Sequence, residues 1–187
     1  MLNSGPSPTA AADLAGRGLA VFPLSLGSRR PAGPGWQHTA MTDPELIRRT
    51  WRTGDNIGVA CRPSRLTGLD LDEPDGGVDA FTALCGTHGQ PWPDTLTVRT
   101  PRGGLHLYFR APAARTITSS SDGRAGLGAG IDVRAPGRRS GGYLIGPGSI
   151  VAGTPYAITH DAPIRPLPAW LRDLLTPARE RATRDAH

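Results

Sequence analysis

The sequence predicts an α+β fold: a mixed β-sheet core, built as two small lobes around one acidic cleft. Three observations carry this. Helical and strand-like segments alternate over residues 8–86, β-rich runs between Gly-rich turns dominate residues 95–146, and one amphipathic helix follows at 167–175. With 187 residues the chain has room for one domain with a real core.

Each element has a local reason. Ser7-Pro8 supplies an N-cap and a first-turn proline for a helix over TAAADLAG, which Gly16 and Gly18 stop. LAVFPL (19–24) reads as a strand and is followed by the basic, Pro-rich loop LGSRRPAGPGW. Thr42 or Asp43 caps a second helix through ELIRRTW, with Pro44 in its first turn. NIGVAC (56–61) and Thr67 to Asp72 are strands, and the Gly76-Gly77 turn leads to a helix over about 78–86. TLTVRT (95–100), LHLYFR (105–110), GIDVR (130–134) and GYLIG (142–146) are further strands, and residues 111–129 form a long polar loop. LPAWLRDLL (167–175) is the last helix, so the folded domain is expected over 7–175 and a charged tail over 176–187.

Composition narrows the function classes. The net charge is +5, the pI is about 10.2, and all 21 basic residues are Arg. That balance favours anionic partners such as nucleotides and nucleic acids. The two cysteines, Cys61 and Cys85, form no C-x-x-C pattern, which argues against a Cys-built zinc site. No signal peptide or membrane-length apolar run is evident, so a cytoplasmic protein without a membrane partner is expected. Without lysine no Walker A loop is possible.

Three segments carry chemistry. In TGLDLDEPDGG (67–77), Asp70 and Asp72 sit at i and i+2 of a strand and share one face, roughly 6.6 Å apart along the chain, while Leu69 and Leu71 face the core. Two such carboxylates repel unless a cation lies between them, and hard oxygen donors suit Mg²⁺ or Mn²⁺. In TPRGGLHLYFR (100–110), a Gly-rich turn opens a strand whose polar face carries His106, placed to donate to a phosphate. In GIDVRAPGRRSGGYLIG (130–146), Asp132 and Arg134 share a strand face, either as a simple ion pair or as a third metal ligand beside a phosphate-binding Arg. Each segment has a plain alternative in an ordinary polar strand face or hairpin turn.

Their order is more telling. A D-x-D strand, then a small-x-His strand, then a hydrophobic-Asp strand resembles the motif order of the archaeo-eukaryotic primase superfamily. The segments GLAVFPL with SRRP, NIGVAC, GLDLDEPDGG, TLTVRTPRGGLHLYF, and GIDVR with GGYLIGPGS resemble the bifunctional DNA primase/polymerase N-terminal (prim-pol) domain over about residues 10–172. That family occurs in replication proteins of plasmids, phages and integrated elements. The resemblance implies a primase-type sheet core, with Asp70 and Asp72 as the first catalytic motif. It implies that His106, with Gly104 as the small residue, contacts the incoming nucleotide and that Asp132 completes the metal set. Arg30 stands where the family often has Lys; guanidinium keeps the charge and adds donors.

The implied activity is metal-dependent, template-directed nucleotidyl transfer from (d)NTPs onto single-stranded or primed DNA, with Mg²⁺ or Mn²⁺ as cofactor. Arg29, Arg30, Arg138 and Arg139 are candidates for tracking the template backbone. Relatives often carry a helicase, so a separate helicase is an expected partner. Two other classes stay open on the residues alone. One is a metal-dependent nuclease or phosphodiesterase; the other is a non-catalytic nucleic-acid-binding module of replication initiation.

Overall fold

The computed structural model describes residues 8–139 and 141–176. The Ser7 cap and all of the expected tail beyond Thr176 lie outside the described residues. In chain order the elements are α1 (Pro8–Gly16), β1 (Val21–Leu24), α2 (Trp36–Thr39), α3 (Pro44–Thr50), β2 (Asn56–Ala60), β3 (Leu66–Leu71), α4 (Gly77–Thr87), β4 (Thr97–Arg99), β5 (Leu105–Arg110), β6 (Ile131–Arg134), β7 (Tyr143–Ile145), β8 (Ile150–Val151), β9 (Thr154–Pro155), β10 (Ala157–His160), β11 (Arg165–Pro166) and α5 (Ala169–Leu175). A single 3-10 turn, Glu73–Asp75, joins β3 to α4.

The fold is α+β, with few helices and almost wholly antiparallel pairing. A small sheet has the order β1-β2-β7. A larger one runs β10-β4-β5-β3-β6, and β11 pairs in parallel with β5. Period-2 patterning explains how the larger sheet is covered. Leu69 and Leu71 of β3, Leu107 and Phe109 of β5, and Ile131 and Val133 of β6 all belong to one cluster, closed by Phe81 of α4 and Leu171 of α5. The other face contributes Leu66, Val98 and Tyr108 to a second cluster with α1, α3 and the small sheet.

The two sheets meet at one point that demands glycine. A Cβ on Gly68 of β3 would stand 2.3 Å from Cδ1 of Leu144 on β7. The absent side chain lets β7 settle onto the centre of the larger sheet. Beyond that contact the sheets part, and the space between them is the cleft described below.

Local signals account for most boundaries. Asp43, not Thr42, caps α3: its carboxylate accepts from the N–H of Glu45 at 2.9 Å and of Leu46 at 3.4 Å. The strands from β8 to β11 and the short helix α2 were not evident in the pattern. β10 is exposed along all its residues, so it shows no alternation. β8 and β9 are two residues each, joined through Ala152 and Gly153 at φ of 50° and 77°. The long loop of 111–129 is tied down where Ser120 bridges Val133 of β6.

Candidate functional site

Registration across the larger sheet sets the site. Asp70 of β3 lies opposite His106 of β5 on one side and Asp132 of β6 on the other. Directly opposed residues in antiparallel strands share a face, with Cβ atoms about 4.5–5.5 Å apart. Three polar side chains from three distant segments therefore form one row, on the face turned away from the Leu-rich cluster. Asp72 follows just beyond β3, where its N–H donates to Gly130 O at 2.8 Å.

His106 is almost wholly buried, and its Nε2 lies 3.2 Å from Asp70 Oδ1. A carboxylate only accepts, so Nε2 carries the proton in this contact. The other ring nitrogen, Nδ1, is buried with no hydrogen-bond partner among the described residues. A buried polar atom left in this way has a standing demand for a partner. The ring of Tyr156 lies beside it, with centroids 5.5 Å apart.

The electrostatics favour an ionised Asp70. Burial pushes its carboxyl upward, yet the His106 contact and the nearby guanidinium groups of Arg134 and Arg29 outweigh that, and hold it below the usual carboxylate range. Burial is also the main reason that the Tyr156 hydroxyl is pushed up to about 12, and Asp70 and Asp72 reinforce it. That hydroxyl stays protonated and able to donate.

Asp132 is differently engaged. Its Oδ2 accepts from Arg134 Nη2 at 2.9 Å and its Oδ1 from the Asp122 N–H at 3.0 Å. Arg134 also donates to Ser121 Oγ at 3.1 Å. The ion pair expected as one alternative for this strand face is present, and Arg134 also borders the cleft. Among the described residues, no three His, Cys, Asp or Glu side chains are grouped as a ready metal site. The engagement of Asp132 with Arg134 and the 119–124 loop turns both its oxygens to those donors.

The row opens into a cleft of about 620 Å³, within the range of small-ligand sites. Asp70, Asp72, His106 and Arg134 line it. It is not purely acidic, because Arg29 and Arg102 line it too, and Arg102 approaches Asp72 at 3.8 Å. Trp36 and Tyr143 line the cleft as well, and they pack with Phe22 at centroid separations of 4.6 to 5.4 Å. The Tyr143 hydroxyl donates to Arg29 O at 3.0 Å, which fixes the basic loop against β7.

Other expected residues are placed differently. Asp132 flanks the cleft without lining it. Gly104 is buried, and a Cβ there would stand 2.2 Å from Leu71 O, so close packing of β5 on β3 requires the small residue. Arg30 is exposed and outside the lining, whereas its neighbour Arg29 is within it. Arg29, expected to track the template backbone, instead lines the cleft, and the residues missed by pattern reading are Arg102, Trp36, Tyr143 and Tyr156. Trp36 ends the run GPGW, which is the only local hint; the others reach the cleft through long-range packing.

The family model described as bifunctional DNA primase/polymerase, N-terminal, matches residues 11–170. The search of curated proteins gave no match.

Proposed function

The chain belongs to the bifunctional DNA primase/polymerase N-terminal family, and from that premise we propose that its cleft joins nucleotides from (d)NTPs onto a DNA strand in a template-directed, divalent-metal-dependent reaction. The single observation that carries this is the row Asp132–Asp70–His106, registered across β6, β3 and β5 and opening onto a cleft with both acidic and basic walls.

The donor set fits a hard divalent cation. Asp70 and Asp72 offer carboxylate oxygens to one cleft, and Asp70 is held ionised. They would hold Mg²⁺ or Mn²⁺, with Asp132 joining from the adjacent strand once its oxygens leave Arg134 and the Asp122 N–H. When bound, the cation would supply activation of a 3′-hydroxyl and neutralisation of charge at the leaving pyrophosphate. The chain's own residues do the rest. Arg29, Arg102 and Arg134 offer guanidinium groups to the triphosphate, where planar donors match phosphate oxygens. His106, anchored through Nε2 on Asp70, keeps Nδ1 for a nucleotide or water. Trp36 and Tyr143 present aromatic surface suited to a base.

The same reading includes a template of single-stranded or primed DNA, a separate helicase, and a place in the replication of a plasmid, phage or integrated element. No described helix is long and apolar enough to cross a membrane.

The experiment is primer extension on a labelled primer–template, with Mg²⁺ or Mn²⁺ and dNTPs. Wild type should lengthen the primer, EDTA should stop it, and Asp70→Asn should reduce the rate by at least about 100-fold. An undiminished Asp70→Asn rate overturns the assignment. Shortening of the labelled strand without dNTPs would favour hydrolysis instead.

A further inference from the structure

Away from the acidic row, the chain gathers a second charged feature. Residues 61–69, 111–121 and 133–142 contain no Asp or Glu, yet they carry Arg62, Arg65, Arg115, Arg138 and Arg139 outside the cleft. The fold stitches these three segments together. Ala111 N–H donates to Arg65 O at 2.8 Å, Gly137 N–H to Ile117 O at 2.9 Å, and Cys61 N–H to Gly142 O at 2.9 Å. Arg62 Nη1 donates to Gly137 O at 3.4 Å, so the β2–β3 turn leans on the β6–β7 loop.

Arg62, Arg65, Arg138 and Arg139 are exposed, and Arg115 is half-buried, its buried Nη1 without a hydrogen-bond partner among the described residues. Among the described residues, no carboxylate pairs with Arg62, Arg65, Arg115 or Arg139, although seven other arginines of the chain do find one. The patch also borders the cleft, since Gly141 and Gly142 of the same β6–β7 loop line it.

We propose that this arginine patch is the docking surface for the phosphodiester backbone of a single nucleic-acid strand, which passes over Gly141–Gly142 into the cleft. The inference rests on the nucleic-acid side of the function proposed above, but not on the chemistry of the cleft. Arg62, Arg65, Arg115 and Arg139, gathered without a carboxylate partner among the described residues, repel one another, and a polyanion relieves that repulsion. A free nucleotide suits the patch poorly, because the arginines are spread over three separate segments of the chain. A strand with repeated phosphates matches that spread.

The test is equilibrium binding of a fluorescein-labelled oligothymidylate by anisotropy, in EDTA and without nucleotide, over 50–200 mM salt. Each phosphate contact on a single strand contributes about 0.7 to the slope of log affinity against log salt. The triple variant Arg62→Gln/Arg65→Gln/Arg139→Gln should lose about 2 from the slope. Wild type should therefore weaken by about 20-fold more than the variant across that fourfold salt range. The double variant Arg65→Gln/Arg139→Gln keeps the Arg62 contact to Gly137, and should lose about 1.4 if the triple proves unstable. Fluorescent dATP should bind both variants as it binds wild type.

An unchanged slope overturns the proposal. So does an equal loss of dATP binding, which would make the patch a nucleotide subsite, or a matched poly-glutamate that binds as tightly and loses as much. Strand binding by a wild type that incorporates no nucleotide would sink the catalytic reading and leave the patch standing. Incorporation with an unchanged slope would do the reverse.

Discussion

Gly104→Ala separates two roles for one residue. The family resemblance assigns a small residue there to nucleotide contact, whereas the geometry gives it a packing task. The added methyl would stand 2.2 Å from Leu71 O and 3.1 Å from Glu73 N, well short of the 3.4 Å at which ordinary contact begins. Both opposing atoms are backbone, and Leu71 belongs to β3, which is pinned on both sides by β5 and β6, so no side chain can swing away. Overpacking of this kind costs about 3 kcal/mol. In a domain of this size that lowers Tm by about 6–12 °C. Gly103→Ala is the comparison: its φ of +89° strains any side chain, but its Cβ meets nothing nearer than Glu73 Cγ at 3.6 Å, so it costs only about 1 kcal/mol. Circular-dichroism melts and urea midpoints of both variants measure this, alongside fluorescent dATP affinity. A Gly104→Ala protein that melts like wild type, and loses only nucleotide affinity, refutes the packing argument.

Other expectations follow from the same structure. Asp43→Ala removes the two cap contacts of α3 and should cost about 1 kcal/mol, with primer extension at 25 °C unchanged; a variant as stable as wild type in urea would show the cap to be idle. Cys61 is fully buried, and burial pushes its thiol up to about 12, so a thiol reagent at pH 8.5 should label it only as fast as the protein unfolds. Rapid labelling under native conditions would contradict that. Asp70 is held below its unfolded value, so its ionised form stabilises the fold above about pH 3.9 and that contribution is lost as pH falls through the folded pKa. Urea midpoints of wild type should therefore fall more steeply than those of Asp70→Asn between pH 5 and pH 2.5, and parallel curves would refute it.

The acidic row was legible because its signals are local. Alternation in LTGLDLD, LHLYFR and GIDVR places Leu, Ile or Val on one face and Asp or His on the other, whatever the strands pair with. Which strands become neighbours was not legible, since residues 70, 106 and 132 are brought together by register alone. The β10 and β11 strands escaped for a related reason: an exposed edge strand has no buried face to imprint an alternation.

The cleft wall differs in kind. Arg29, Trp36 and Tyr143 come from a loop, a four-residue helix and a three-residue strand, and they meet through the Phe22–Trp36–Tyr143 packing and the Tyr143–Arg29 hydrogen bond. Nothing in the spacing of those residues predicts that meeting. It also explains why Arg29 enters the cleft while Arg30, its equal in charge, does not. The Arg29 carbonyl is fixed by the phenol of a cleft residue, and the neighbouring Arg30 carbonyl accepts from Ser25 N–H as the loop turns back on β1. Charge identified this loop, and hydrogen bonding decides which of its two guanidinium groups faces the site. A triphosphate in the cleft should thus depend on Arg29 more than on Arg30. In single-nucleotide incorporation, Arg29→Ala should raise KM by about 10-fold, the effect of losing one charge-assisted contact, and Arg30→Ala should change it far less. The opposite ranking would show that the loop is rearranged when nucleotide binds.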